Sequence, residues 1–228
     1  MHHELKQKAI KLRVEQHLSY NAILKQVPVA KSTLHEWLQH FPLSRERIAE
    51  LRKASWTKFE AKIELFRVAQ RERREREDQK IYEICLKKFR NISKKSAFIG
   101  GLMLYVAEGA KRGRGKLVLA NTDVRLINFF IQWLGVFYKV PKSAIRIQLQ
   151  LYQTMDLERE YQYWERELGI SRSQFYKPYI HKTTPASFSY SESFRHGTCS
   201  AYLLNEKIRR QVLMAIRAMF DTMLVKGA

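Results

Sequence analysis

Apolar and polar positions divide the chain into three stretches with different rhythms. In residues 1–43 the apolar positions recur at helical intervals. Leu5, Ala9 and Leu12 make one stripe. "HLS" interrupts it, and Ser19 stands where it can cap a second short helix carrying Tyr20 and Ile23. "VPVA" turns the chain. "KSTLHEWLQHF" then predicts a third helix with Leu34, Trp37 and Leu38 inward, stopped by Pro42.

Residues 44–94 contain neither Gly nor Pro. Ile48, Leu51, Trp56, Phe59, Ile63, Phe66 and Val68 recur at loosely helical intervals. "RERREREDQK" alternates the sign of charge, so pairs four residues apart can support an exposed helix. The expected element is a helical arm acting as a solvated spacer. A dimer contact or a phosphate-tracking helix is the alternative.

From residue 95 the rhythm changes between periods. "GKLVLANTD" predicts a short strand. "DVRLINFFIQWLGVFYKV" predicts a helix capped by Thr122 or Asp123, with Leu126, Phe129, Phe130 and Trp133 inside. "AIRIQLQLY" alternates strictly: Ile145, Ile147, Leu149 and Leu151 on one face, Arg146, Gln148, Gln150 and Tyr152 on the other. "DLEREYQYWERELGI" is an amphipathic helix ended by Gly169. "SQFYKPYIHK" and "HGTCSAYLL" predict two more strands, residues 183–197 between them a hairpin loop, and "NEKIRRQVLMAIRAMFDTML" a closing helix. The expected order over 95–228 is α, β, α, β, α, β, β, α, which makes the fold class α+β.

Charge narrows the function. The 228 residues carry 42 Lys+Arg against 22 Asp+Glu, a formal charge of +20. With 45% hydrophobic residues the chain has material for a core, so it is not a disordered basic tail. A charge of this size points to a polyanionic partner: nucleic acid first, an anionic membrane surface second, with a merely basic soluble protein as the plain alternative. Cys85 and Cys199 show no metal-ligand spacing and are read as reduced thiols of a cytosolic protein. "MHHELKQKAI" lacks the apolar centre of a signal peptide. The longest apolar run, residues 98–107, falls short of the roughly 20 residues that cross a bilayer. The expected setting is cytoplasmic, beside the nucleoid.

Two sets of residues carry candidate chemistry. The first lies at the start of the third helix: Lys31, Ser32, Thr33, His35 and Glu36, types that contact bases and phosphates. Ser19, Tyr20, Ile23, Val29, Lys31, Ser32, Thr33, Trp37 and Leu38 together resemble the helix-turn-helix of transposases and repressors. That resemblance implies a third helix whose first turn enters the major groove. A small three-helix packing unit is the plain alternative.

The second lies in "FIGGLMLYVAEGAKRGRGK". Gly100, Met103 and Ala107 share one helix face, suited to close helix packing. Glu108 then falls at the helix C-terminus, where the macrodipole disfavours a carboxylate by some tenths of a kcal/mol. A divalent cation or the neighbouring Lys111, Arg112 and Arg114 are the two candidate partners. "LYVAEGAKRGRGKLVLANTD" resembles a prokaryotic subgroup of the LAGLIDADG homing-endonuclease family, whose members also carry an N-terminal helix-turn-helix.

The resemblance implies a saddle of antiparallel strands lying on double-stranded DNA, backed by helices. It implies a homodimer whose paired motifs hold Mg²⁺ through Glu108 and Gly109, with Lys182 as a basic residue near the scissile phosphate. The same surface would carry Lys111, Arg112, Arg114, Lys116, Arg146, Gln148, Gln150, Tyr152 and Lys177, extended by Tyr179 and His181; an ordinary solvated sheet face is the plain alternative for the strand residues. The expected organisation is a helix-turn-helix over 1–43, a charged arm over 44–94 and an endonuclease-like domain over 95–228. The expected function is sequence-specific duplex binding, either with Mg²⁺-dependent cleavage or as a non-catalytic transcription regulator or mobile-element accessory protein.

Overall fold

The computed structural model describes residues 2–54, 58–113, 115–182 and 196–225. Trp56, Arg114 and most of the expected 183–197 loop lie outside them. The chain forms two compact units, Met1–Asn91 and Ile92–Ala228.

The first unit opens with α1 (His2–Val14), α2 (Tyr20–Leu24) and α3 (Lys31–Leu38). Ser19 caps α2 as its spacing predicts, its Oγ accepting from the Ala22 N–H at 3.2 Å. Ala9, Leu12, Tyr20, Ile23, Val27, Leu34 and Leu38 make the core. Trp37, expected inside, is only half-buried and packs on the rim.

The arm departs from its expectation. It is two helices, α4 (Arg45–Ala54) and α5 (Lys58–Phe89), and the first half of α5 is no spacer. Leu43, Ile48, Ala61 and Val68 bury each other between α4 and α5. Glu64 is buried and pairs with the buried Arg13 of α1 at 2.7 Å. Ser19 also donates to Glu60 of α5. Sequence periodicity missed this because the joining partners are polar and lie 51 residues apart. Beyond Glu72 the helix is exposed on all sides except at Cys85, and Phe59 and Phe66 also stay exposed.

In the second unit the elements are α6 (Lys94–Glu108), β1 (Leu117–Asn121), α7 (Val124–Tyr138), β2 (Ile145–Tyr152), α8 (Leu157–Leu168), β3 (Tyr179–His181), β4 (Thr198–Leu203) and α9 (Glu206–Val225). Their order is the expected one. Asp123 caps α7, accepting from the Arg125 N–H at 2.8 Å, and Gly169 ends α8 in the left-handed conformation.

The sheet runs β1-β4-β2-β3. β4 is antiparallel to both β1 and β2, but β3 is parallel to β2, so the sheet is mixed rather than antiparallel. The reason is the route: α8 carries the chain from the end of β2 back to the start of β3, a crossover that restores strand direction.

All four helices contribute to a single core with Leu117, Leu119, Ile145, Ile147, Leu149, Leu151, Cys199, Ala201 and Leu203, leaving an opposite sheet face that is polar on β2 and β4 and apolar at Val118 and Ala120 of β1. In α7 the inward residues are Ile127, Phe130, Ile131, Trp133 and Leu134; Leu126 is half-buried and Phe129 is exposed, against expectation.

Glycine use in α6 also differs. A methyl group at Gly101 would overlap the Trp133 indole, so this glycine admits α7 of the same chain. The face bearing Gly100, Met103 and Ala107 is exposed.

Candidate nucleic-acid interface

In the first unit, α3 begins after Ala30 with no side-chain cap. Its first-turn N–H groups are therefore left for an outside acceptor. Lys31 and Ser32 are exposed there, Thr33 is half-buried, and His35 and Glu36 are exposed one turn on. Short, uncapped and polar at its entry, this helix end can meet phosphates with backbone N–H groups and bases with side chains. Tyr20 has the guanidiniums of Arg67 and Arg13 at 3.8 and 5.3 Å from its ring centroid. Burial pushes the Tyr20 phenol up while both arginines pull it down; the net direction is up, so the ring stays neutral.

In the second unit the polar sheet face is built by register. Arg146 faces Tyr202 and Gln148 faces Ser200, with Val118 and Ala120 beyond β4. Arg146, Gln148 and Gln150 are half-buried on this face. Gln148 is engaged at both ends: its Oε1 accepts from Tyr202 Oη at 3.0 Å, and its Nε2 donates to Lys177 O at 3.1 Å. Arg146 Nη1 donates to Ser143 O at 2.7 Å. Lys116 Nζ stands 5.4 Å from the Tyr202 ring centroid.

Tyr152, expected on the exposed face, is only 9% exposed, its ring 5.4 Å from that of His181. Lys177 is exposed, as are Tyr176 and Tyr179. Tyr176 and Tyr202 were missed at the sequence level. The signal for Tyr202 was its parity with Thr198 and Ser200 in "HGTCSAYLL".

At the end of α6, Glu108 is exposed and its Oε2 accepts from Asn121 Nδ2 at 3.2 Å. Asn121, the last residue of β1, is the partner that sequence reading overlooked; its Oδ1 accepts from the Asp123 N–H at 2.8 Å. Gly109 is buried, donates to Tyr105 O at 2.9 Å and bridges to Leu119, locking the helix end to the sheet. Lys111 and Arg112 are exposed.

Lys182 does not join Glu108. It follows β3 at one edge of the sheet, while Asn121 ends β1 at the other edge, at least three strand spacings or roughly 14 Å away. No group of three or more His, Cys, Asp or Glu converges among the described residues. His196, which sequence spacing left without a metal role, pairs through Nδ1 with the buried Glu160 at 2.7 Å and stacks on Tyr163.

No protein-family model, curated protein or solved structure matches this chain. The helix-turn-helix and LAGLIDADG resemblances rest on the residues quoted above. No helix among the described residues is long and apolar enough to cross a membrane.

Proposed function

We propose that the protein binds double-stranded DNA, reading sequence through the first turn of α3 and holding the duplex with the polar sheet face of the second unit. The observation that carries this reading is the entry of an uncapped helix, with Lys31 and Ser32 exposed and Thr33 half-buried, set in a chain of charge +20. The geometry supports recognition more directly than chemistry. Lys116, Arg146, Gln150 and Lys177 supply cations and amides for phosphates and base edges, while Tyr176 and Tyr179 add exposed aromatic surface.

Cleavage is the second reading, and the observation favouring it is the exposed placement of Glu108 at the end of α6. Magnesium prefers hard oxygen ligands, and an exposed carboxylate suits it. One such carboxylate is a sparse ligand set, so the reading requires a homodimer in which the exposed face of Gly100, Met103 and Ala107 packs against its twin. Glu108 and the Gly109 carbonyl would then hold the ion, which supplies positive charge to offset the scissile phosphate. Lys182 has no part in that centre within one chain.

A random-sequence duplex library, incubated with the protein with and without Mg²⁺, separates these readings. Enrichment of a motif without strand breaks supports recognition alone. Breaks that need Mg²⁺ and vanish in Glu108→Gln, with enrichment retained, support the nuclease. Failure to enrich any sequence would remove specific recognition.

A further inference from the structure

The end of α3 and one stripe of α5 enclose a cleft. His35 and His40 line one wall; Arg67, Arg71 and Arg74 line the other. Spacings of four and three residues put these guanidiniums on one face of α5. Glu64 at the floor is already held by two cations, Arg13 at 2.7 Å and Arg67 at 2.5 Å. Arg67 is thereby pinned over Tyr20 with a quarter of its side chain still open to solvent. Arg71 is 31% exposed and only loosely paired, its Nε 3.6 Å from Glu75. Arg74 is exposed and has no ion pair among the described residues. Across the lining, four guanidiniums stand against three carboxylates, those of Glu64, Glu75 and Asp78.

We infer that this cleft is a phosphate site, and that it takes backbone phosphodiesters of the duplex strand beside the groove entered by α3. The inference rests on the DNA-binding reading above and adds a role for α5 that the reading does not contain. Guanidinium forks match phosphate oxygens two at a time, and the opposite wall adds an imidazole N–H from each histidine. The floor does not repel an anion, because Glu64 is neutralised by two arginines. A phosphate held here fixes the register of α3 on the duplex but carries no sequence information. His35 thus belongs to the backbone clamp and not to base readout.

The test uses the full chain with Arg71→Gln plus Arg74→Gln, and a charge-matched control, Arg73→Gln plus Arg76→Gln, on other faces of α5. Duplex affinity is measured over a salt series on a preferred and on a scrambled sequence. Each phosphate contact contributes about 0.9 to the log–log salt slope, which is roughly fivefold in affinity between 1 M and 0.15 M salt. The expected result is a slope reduced by about one to two, with equal losses on both sequences and a clearly smaller effect of the control.

An unchanged slope in a variant whose wild-type parent binds DNA overturns the site and leaves the DNA reading intact. A second arm titrates inorganic phosphate at constant pH and ionic strength and follows the imidazole proton resonances of His35 and His40. Shifts in the wild type that disappear in Arg71→Gln plus Arg74→Gln support the phosphate site even if the wild type fails to bind duplex, in which case only the DNA reading falls. No shift in the wild type, together with no duplex binding, overturns both.

Discussion

Every nitrogen of the Arg13 guanidinium is used inside the first unit. Nε donates to Phe41 O at 3.3 Å, Nη1 to Leu18 O at 3.0 Å and Nη2 to Glu64 at 2.7 Å. One side chain therefore ties α1 to the turn before α2, to the end of α3 and to α5. Removing its charge partner leaves a buried cation without compensation, which costs about 3–5 kcal/mol, whereas replacing both partners by apolar groups is often close to neutral. Glu64→Leu is expected to lower the unfolding free energy by that order, read as a lower urea midpoint, and Arg13→Met plus Glu64→Leu to recover a large part of the loss. Equal stability of Glu64→Leu and wild type, measured by urea unfolding, would mean that α5 is not anchored to α1 in solution.

At the scale of elements, periodicity located nearly every helix and strand of the second unit, because one-sided burial writes a period of 2 or 3.6 into the chain. What it left out was direction and interruption. "SQFYKPYIHK" reads as one strand, yet the segment pairs with β2 only at Phe175 and Tyr176 and again at Tyr179–His181. Pro178, which has no N–H to give, sits in the gap. The parallel sense of β3 is equally absent from an alternating pattern.

Candidate site residues were legible where exposure follows from local spacing, as for Lys31 and Ser32. They were illegible where burial is decided by distant strands, as for Tyr152, or where the partner is a polar residue far away, as for Asn121 and Glu108. Helix α3 is the element on which specificity depends in the proposed reading. Lys31→Ala plus Thr33→Ala is expected to reduce binding to a preferred sequence by about tenfold or more while sparing scrambled duplex to a greater degree, since a good base contact is worth roughly 1–3 kcal/mol of discrimination. Competition binding with the two duplexes measures the ratio. An unchanged ratio would reduce the first three helices to a packing unit.

The whole molecule carries its charge into two opposed salt effects. In free solution the surplus of +20 repels itself, and added salt screens that repulsion, the Debye length shrinking from about 30 Å at 0.01 M to about 8 Å at 0.15 M. The thermal unfolding midpoint of the free protein is therefore expected to rise with salt over this range. Duplex binding must respond the other way, because each neutralised phosphate releases counterions and the release weakens as salt accumulates.

A protein contacting about six phosphates loses on the order of a thousandfold in affinity between 50 and 200 mM salt. Thermal unfolding of the free protein and fluorescence anisotropy with a labelled duplex, run in the same buffers, test both signs together. A rising midpoint with a falling affinity fits a surface whose charge is held for a polyanion. A rising midpoint with a flat or absent duplex response would leave the charge as a property of the free protein alone and end the DNA-binding reading.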